Sequence, residues 1–133
     1  MSIAPGESMA GFANQPRYNL PPEQAELITG QFLDAQNDLP AGRFYCTQVD
    51  GATSISNVAR HVERDVFDEA FQNDDTAMRR LYGPYEISSS FFVVFDTEDR
   101  RAIGSLRVIS NSEYGHMTLN EAPNYIGKSR EEI

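Results

Sequence analysis

The strongest periodic pattern of apolar residues along the chain lies between residues 55 and 71. Eight apolar residues there have helical spacing: Ile55, Val58, Ala59, Val62, Val66, Phe67, Ala70 and Phe71. Steps of three or four place them on one side of an α-helix. Thr53 or Ser54 can cap this helix, because a hydroxyl oxygen in that position accepts a hydrogen bond from a free backbone N–H. The pattern predicts a long helix whose apolar stripe packs into the core.

A second helix is predicted to begin at Pro21-Pro22-Glu23, since proline is tolerated in the first turn and an acidic residue is favoured there. Ala25, Ile28 and Phe32 fall on one face of this helix. Asn37-Asp38 ends it. The apolar face predicts that the helix packs against one side of a sheet.

A short third helix is predicted from Thr76 to Tyr82. Asn73-Asp74-Asp75 ends the long helix and caps this one. Gly83-Pro84 is expected to terminate it, with glycine in the left-handed backbone conformation and proline beyond, because proline cannot continue a helix.

Three segments predict β-strands. The first runs from Arg43 to Val49 and is followed by the turn Asp50-Gly51. The second, Phe91 to Phe95, is apolar on both faces, which predicts a strand covered on both sides with its phenylalanines in the core. Ala102 to Ile109 is predicted as its partner, after a polar turn from Asp96 to Arg101, and the alternation of a strand places Ser105, Arg107 and Ile109 on one face of it.

These elements, taken in order, predict an α+β fold with helices packed on a small, mainly antiparallel sheet. Residues 1–19 are rich in Gly, Pro, Ser and Asn, so we expect a flexible or loosely packed arm there and a domain over residues 20–133. The pattern of a capping box is found at Ser129-Arg130-Glu131-Glu132, and Ile133, the last residue, follows it directly. A capped start with no helix behind it predicts an incomplete domain.

Charge and hydropathy limit the partners and the compartment. Twenty acidic and 11 basic residues give a formal charge of −9, which disfavours binding to nucleic-acid backbones and anionic membrane surfaces. No apolar run approaches the ~18 residues of a spanning helix, and the first residues lack the pattern of a secretory signal. We therefore expect a cytoplasmic protein that binds neither nucleic acid nor a membrane.

The cysteine and the histidines predict no metal site. Cys46 is the single cysteine, so it forms no internal disulfide, and we expect a buried inert thiol. His61 and His116 have no Cys, His or carboxylate partner at the spacing of zinc ligands. His61 is expected to be structural. His116 is expected at the surface, with a role as a general base as the alternative.

Three segments of the chain together resemble a known family. They are the long helix Val58–Phe71, the break Tyr82-Gly83-Pro84-Tyr85 and the hairpin FFVVFDTEDRRAIGSLRVI. From about residue 42 onwards, the chain resembles the front half of the GNAT (acyl-CoA N-acyltransferase) fold, nearest its acyl-homoserine-lactone synthase branch. In that fold two helices shape the acceptor site, and the second strand of the hairpin carries Gly-x-x-Arg, as Gly104-Ser105-Leu106-Arg107 does here. The resemblance implies the acceptor-side portion of an enzyme that transfers an acyl group from acyl-CoA to a small-molecule amine.

The resemblance also implies two substrate-binding residues and identifies no catalytic one. Arg107 would position the acceptor, and Glu86 would contact its amine or take its proton through a water molecule. The alternatives are an edge or surface arginine paired with acidic neighbours, and a solvated loop glutamate. Where the synthase branch has an arginine three residues before the Val-Phe of the long helix, this chain has Glu63, so it departs from the pattern of the lactone synthases.

The coenzyme-binding loop of the family is the other departure. There, an Arg/Gln-x-x-Gly-x-Gly/Ala loop holds the coenzyme A pyrophosphate with its backbone N–H groups. These 133 residues contain no full match, and the string from Arg101 to Leu106 fits only the first four places. We therefore expect no cofactor in this chain, acyl-CoA as a co-substrate only of a complete fold, and no activity of the chain alone. A missing C-terminal half or a second copy is the expected partner. The alternative function is a non-enzymatic binding or self-association module.

Overall fold

The computed structural model describes residues 15–71 and 74–110. The elements in chain order are α1 (Pro22–Asp34), β1 (Phe44–Asp50), α2 (Ser54–Phe71), α3 (Asp75–Tyr82), a 3₁₀ helix (Gly83–Ser88), β2 (Ser89–Asp96) and β3 (Arg101–Ile109). The strands form one antiparallel sheet in the order β1–β2–β3. The predicted α+β class, with helices on a small antiparallel sheet, is confirmed for these residues. The predicted sites at His116 and Ser129 lie outside them.

The central strand β2 carries the middle of the core. Phe91, Val93 and Phe95 alternate along it and are each 0 % exposed. Phe91 is paired with Val49 of β1 on one side and with Arg107 of β3 on the other. The predicted hairpin between β2 and β3 is therefore confirmed, and residues two apart on each strand share the helix-covered face.

The opposite face of the sheet is partly open. Phe44, Phe92 and Leu106 are 58 %, 40 % and 63 % exposed. The prediction that β2 is covered on both sides is therefore wrong at Phe92, and Cys46 is exposed rather than buried. A run of apolar β-formers shows that a strand packs well on one side, but it carries no information about a second layer.

The core side of the sheet is covered by α1 and α2. The predicted face Ala25, Ile28 and Phe32 is partly buried against the core, and Leu33 beside it is fully buried. The Phe32 ring stacks on Phe95 with 5.4 Å between ring centroids. This contact fixes α1 against the middle of β2.

The apolar stripe of α2 is buried at the start of the helix and open at Val66. Ile55, Val58 and Ala59 are 5 %, 4 % and 0 % exposed, whereas Val66 is 57 % exposed. The predicted core stripe is therefore wrong at Val66. The reason is geometric, because Val66 lines a cavity beside β3.

The prediction for α3 is confirmed at the start of the helix and wrong at its end. Asp74 caps the helix, and its carboxylate accepts a hydrogen bond from the Ala77 N–H at 3.0 Å, as predicted. Gly83 has φ −47° and ψ −51°, so the predicted left-handed glycine is wrong. The chain does not reverse there, since it passes directly into the 3₁₀ helix, with Pro84 in its first turn.

Residues 15–20 lie along α2. Tyr18 is 0 % exposed and Leu20 is 3 % exposed. Asn57 and His61 on α2 accept hydrogen bonds from backbone N–H groups of this segment at 2.8 and 3.2 Å. The packed domain therefore begins before residue 20, and the last residues of the predicted arm belong to it.

Candidate functional site

Four charged side chains and one tyrosine form a buried group between α2 and the sheet, here called the charge cluster: Tyr18, Arg60, Glu63, Glu86 and Arg107. The four charged side chains are between 1 % and 8 % exposed. Two guanidinium groups face two carboxylates, so the formal charges cancel. Buried charges are tolerated only when they are paired and hydrogen-bonded, and this cluster meets both conditions.

Arg107 donates every N–H of its guanidinium either to a member of the charge cluster or to Ser89. Nε and Nη2 donate to the two oxygens of Glu63 at 3.1 and 2.9 Å. Nη1 donates to Glu86 Oε1 at 3.0 Å and to Ser89 Oγ at 2.7 Å, and Nη2 also donates to the Tyr18 hydroxyl at 2.9 Å. Since a guanidinium has five N–H groups, none is left for a ligand.

Aromatic rings and acidic neighbours hold Arg107 in its charged form. Its guanidinium carbon lies 3.8 Å from the centre of the Tyr82 ring and 4.8 Å from that of Phe91. Burial alone would lower the pKa of Arg107, but the hydrogen bonds and charge of Glu63 raise it above its ordinary value. Arg107 is therefore a fixed cation at neutral pH.

Arg60 connects the cluster to the start of α2. Its Nε donates to Glu86 Oε1 at 3.0 Å, and its Nη1 donates to Ser56 and Asn57 on the same helix at 2.7 and 2.8 Å. Its Nη2 donates to the backbone carbonyl of Gly51 at 2.8 Å. Arg60 thereby ties the β1–α2 turn to the 3₁₀ helix that carries Glu86.

Glu86 lies at the centre of the cluster. Its Oε1 accepts from Arg60 and Arg107, and its Oε2 accepts from the Tyr18 hydroxyl. Burial raises the pKa of Tyr18 above its ordinary value, so the phenol stays neutral and donates its proton to the carboxylate. Tyr18 thus closes the cluster on the side of residues 15–20.

A cavity of about 360 Å³ lies beside the cluster, between α2 and β3. This volume is within the range of small-molecule sites. Its apolar walls come from Val62, Val66, Phe67, Tyr82, Ile103 and Leu106. Its polar lining comes from Glu63, Ser105 and Arg107. The Ser105 hydroxyl oxygen is buried and has no hydrogen-bond partner within the described residues. The cavity therefore combines apolar walls with a few polar groups at one end.

The structure brings the two predicted substrate-binding residues together. Arg107 lines the cavity and shares its strand face with Ser105, as the alternation along β3 predicted. Glu86 is bonded to Arg107 at 3.0 Å but does not line this cavity. With 6 % of its surface exposed, Glu86 is not a solvated loop residue either. Arg107 is paired with acids, but in the interior and not at the surface.

Sequence reasoning gave no site role to Tyr18, Arg60 or Glu63. The signal for two of them was present, because Ser56, Arg60 and Glu63 repeat with helical spacing beside the apolar stripe of α2. All three are buried. A polar row in phase with a core-facing stripe was thus the indication of a buried network. Tyr18 had no such pattern, since it lies in a segment without regular structure.

His61 is the one remaining histidine candidate among the described residues. His61 accepts a backbone hydrogen bond through Nδ1, and its Nε2 lies 3.4 Å from a carboxylate oxygen of Asp65, which is a structural role. Within residues 15–71 and 74–110, no group of His, Cys, Asp and Glu is arranged to hold a metal ion. Among the helices of the same residues, none is long and apolar enough to cross a membrane.

Comparisons of the chain with protein-family models, with curated proteins and with solved structures gave no match. The charge cluster, the cavity beside it and the sequence resemblance are therefore the features that bear on function.

Proposed function

We propose that this chain is the acceptor-side portion of a GNAT-like N-acyltransferase, and that the cavity between α2 and β3 receives the small-molecule amine. One observation carries the proposal: Arg107, the arginine of the Gly-x-x-Arg motif, lies in the wall of a cavity of about 360 Å³. The order of helices and strands ahead of it agrees with the resemblance.

The reaction implied by the resemblance needs an amine held beside an acyl-CoA thioester. The amine nitrogen loses a proton and attacks the thioester carbonyl carbon, the C–N bond forms, and the C–S bond breaks to release the coenzyme thiol. Fixing the amine in one orientation removes much of the entropic barrier to this step. That is the part we assign to this chain. Since its sequence contains no full match to the coenzyme loop, we expect amine binding without transfer.

Arg107 acts in this proposal as a positioning residue. Its five N–H groups are committed within the protein, so it holds the Glu63 carboxylate in the cavity wall without itself binding the ligand. Glu86 supports Arg107 from the side away from the cavity. The sequence-based roles of Arg107 and Glu86 as direct substrate contacts are thereby replaced by a supporting role.

The proposal is tested by methyl-labelled NMR with a panel of primary amines and, separately, with acetyl-CoA. We expect the amines to shift the methyl resonances of Val62, Val66 and Ile103, which line the cavity, and acetyl-CoA to leave the spectrum unchanged. Val66→Trp is a matched control, because position 66 is exposed and a large ring there fills the cavity without entering the core. Shifts confined to other residues, or tight acetyl-CoA binding by calorimetry, would contradict the proposal.

A second candidate function is self-association, and a specific observation favours it. Phe44, Phe92 and Leu106 are exposed on the same face of the sheet, and apolar side chains grouped in this way tend to be covered by a partner. Light scattering after size-exclusion chromatography would then give a dimer that Phe92→Glu dissociates. A monomer at all concentrations from about 10 to 500 µM would exclude this function.

A further inference from the structure

The three polar residues in the cavity wall differ in how much hydrogen-bonding capacity they have left. Arg107 has none, because all five of its N–H groups already have acceptors. A ligand carboxylate or phosphate could bind there only by displacing Glu63, Glu86 or another partner. The guanidinium of Arg107, which is the only one that lines the cavity among residues 15–71 and 74–110, is thus closed to anions.

Glu63, unlike Arg107, still has capacity to form hydrogen bonds. Each of its oxygens accepts one hydrogen bond from Arg107, at 3.1 and 2.9 Å. A carboxylate can accept about four, so about two acceptor positions remain. Glu63 lines the cavity and its side chain is 8 % exposed, so a ligand in the cavity lies next to this carboxylate. The bidentate pairing with Arg107 also fixes the direction of the carboxylate.

Ser105 offers a second polar contact on the strand side of the cavity. It lies two residues before Arg107 on the same strand face, roughly 6.5 Å along the strand. Its hydroxyl oxygen is buried without a hydrogen-bond partner among the described residues. Serine rotates about χ1 between staggered positions at low cost, so a ligand in the cavity can provide the missing partner.

We propose that Glu63 binds the polar end of the ligand by accepting its N–H groups, that Ser105 completes this contact, and that the cavity therefore selects alkyl amines over alkyl anions. This inference rests on the proposed function and names the ligand class and the residues that recognise it. The charge cluster is formally neutral, so the selection comes from the acceptors that face the cavity and not from its net charge.

The rest of the cavity specifies an apolar body for this amine. Val62, Val66 and Ile103 contribute aliphatic surface, and Phe67 and Tyr82 contribute rings. At the ~30 Å³ that each water molecule occupies in the liquid, 360 Å³ corresponds to roughly 12 non-hydrogen atoms. A primary amine with a chain of about six to eight carbons therefore fits within the cavity with its nitrogen at Glu63.

The first test varies the ligand and leaves the protein unchanged. The affinities of hexylamine, hexan-1-ol and hexanoate for the full chain are measured by methyl NMR titration at neutral pH. The three ligands have the same six-carbon alkyl group and differ only in the polar group attached to it. We expect hexylamine to bind about tenfold or more tightly than hexanoate, with hexan-1-ol between them, because only the amine donates several hydrogen bonds to a carboxylate. Hexanoate binding as tightly as hexylamine would overturn the inference.

The second test varies the protein. Ser105→Ala should weaken hexylamine binding about three- to tenfold, and Glu63→Gln about tenfold or more, because glutamine is a neutral acceptor. Ser90→Ala is the matched control. The Ser90 hydroxyl accepts an exposed hydrogen bond from Gln48 outside the cavity, so this variant should bind hexylamine with the affinity of the wild type. Circular dichroism establishes that each variant is folded before its affinity is interpreted.

The two proposals fail in different ways. If none of the six-carbon ligands shifts a cavity resonance in the wild type, the acceptor site itself is wrong. If hexylamine binds in the cavity but Ser105→Ala and folded Glu63→Gln bind it as tightly as the wild type does, the acceptor site stands and the assignment of its polar contacts is wrong.

Discussion

Tyr18→Phe tests whether residues 15–20 close the charge cluster. The substitution keeps the buried ring and removes one hydroxyl, which donates to Glu86 and accepts from Arg107. Hydrogen bonds to charged groups contribute about 1.5–3 kcal/mol each to stability. Both charged partners keep other hydrogen bonds, so the two losses are not fully additive. We expect a loss of about 3 kcal/mol in the free energy of unfolding, a large part of the ~5–15 kcal/mol typical of a domain.

Urea denaturation followed by circular dichroism measures this loss. The midpoint should fall while the slope with urea stays the same, because the surface exposed on unfolding does not change. Tyr45→Phe is the matched control. The Tyr45 ring packs on Phe95, with 6.3 Å between centroids, and is outside the charge cluster. Removing the Tyr45 hydroxyl should change the free energy of unfolding by less than about 0.5 kcal/mol.

The result that would refute this reasoning is a Tyr18→Phe variant as stable as Tyr45→Phe. It would show that the Tyr18 hydroxyl is not engaged by buried charges. A double-mutant cycle with Glu86→Gln gives an independent measure, since Tyr18 and Glu86 are in direct contact and should have a coupling energy of about 1 kcal/mol or more.

Three further predictions address other parts of the fold. Arg107→Lys replaces five buried donors by three and should cost about 2–4 kcal/mol in urea unfolding, whereas Arg79→Lys, at a side chain 51 % exposed with one ion pair to Asp75, should stay close to the wild type; equal effects would contradict the packing of the cluster. Hydrogen bonds from Arg43 lower the pKa of Asp96 from 3.8 to about 2, so the carboxylate stabilises the fold above its ordinary pKa, and this contribution is lost as the pH falls from about 4 to about 2. Thermal melts should show this loss in the wild type and not in Asp96→Asn. Gly51→Ala should cost about 1–3 kcal/mol or more in urea unfolding, because its methyl group would collide with a backbone carbonyl of β2, whereas Gly83→Ala has open space and should be neutral or slightly stabilising.

The elements that could be predicted from the sequence are those determined by near neighbours. The spacing of Ile55, Val58 and Ala59 predicted the buried start of α2, and Asp74 predicted the beginning of α3. The alternation along β3 predicted that Ser105 and Arg107 share a face. In each case the residues that decide the structure are within a few positions of one another, so propensity and periodicity contain the information.

The errors have a common cause. Phe92 and Val66 were placed in the core because they are apolar and in phase with buried neighbours, and both are exposed. Gly83 was expected in the left-handed conformation because glycine often ends helices there, but the chain continues in a 3₁₀ helix. A local pattern shows which conformations a residue tolerates. It does not show whether another layer of the protein covers that residue.

At the candidate site, the residue types and the strand face follow from the sequence alone, whereas the role of Arg107 depends on how the fold surrounds it. A sequence pattern indicates an arginine near an acceptor site. The fold places Tyr18, 89 positions away, and Glu63, 44 positions away, within hydrogen-bonding distance of the same guanidinium. Contacts over such separations depend on how helices and sheet pack, because a buried guanidinium must satisfy all five of its N–H groups from whichever elements surround it. In this fold those partners are internal, which leaves Glu63 and Ser105 to face the cavity.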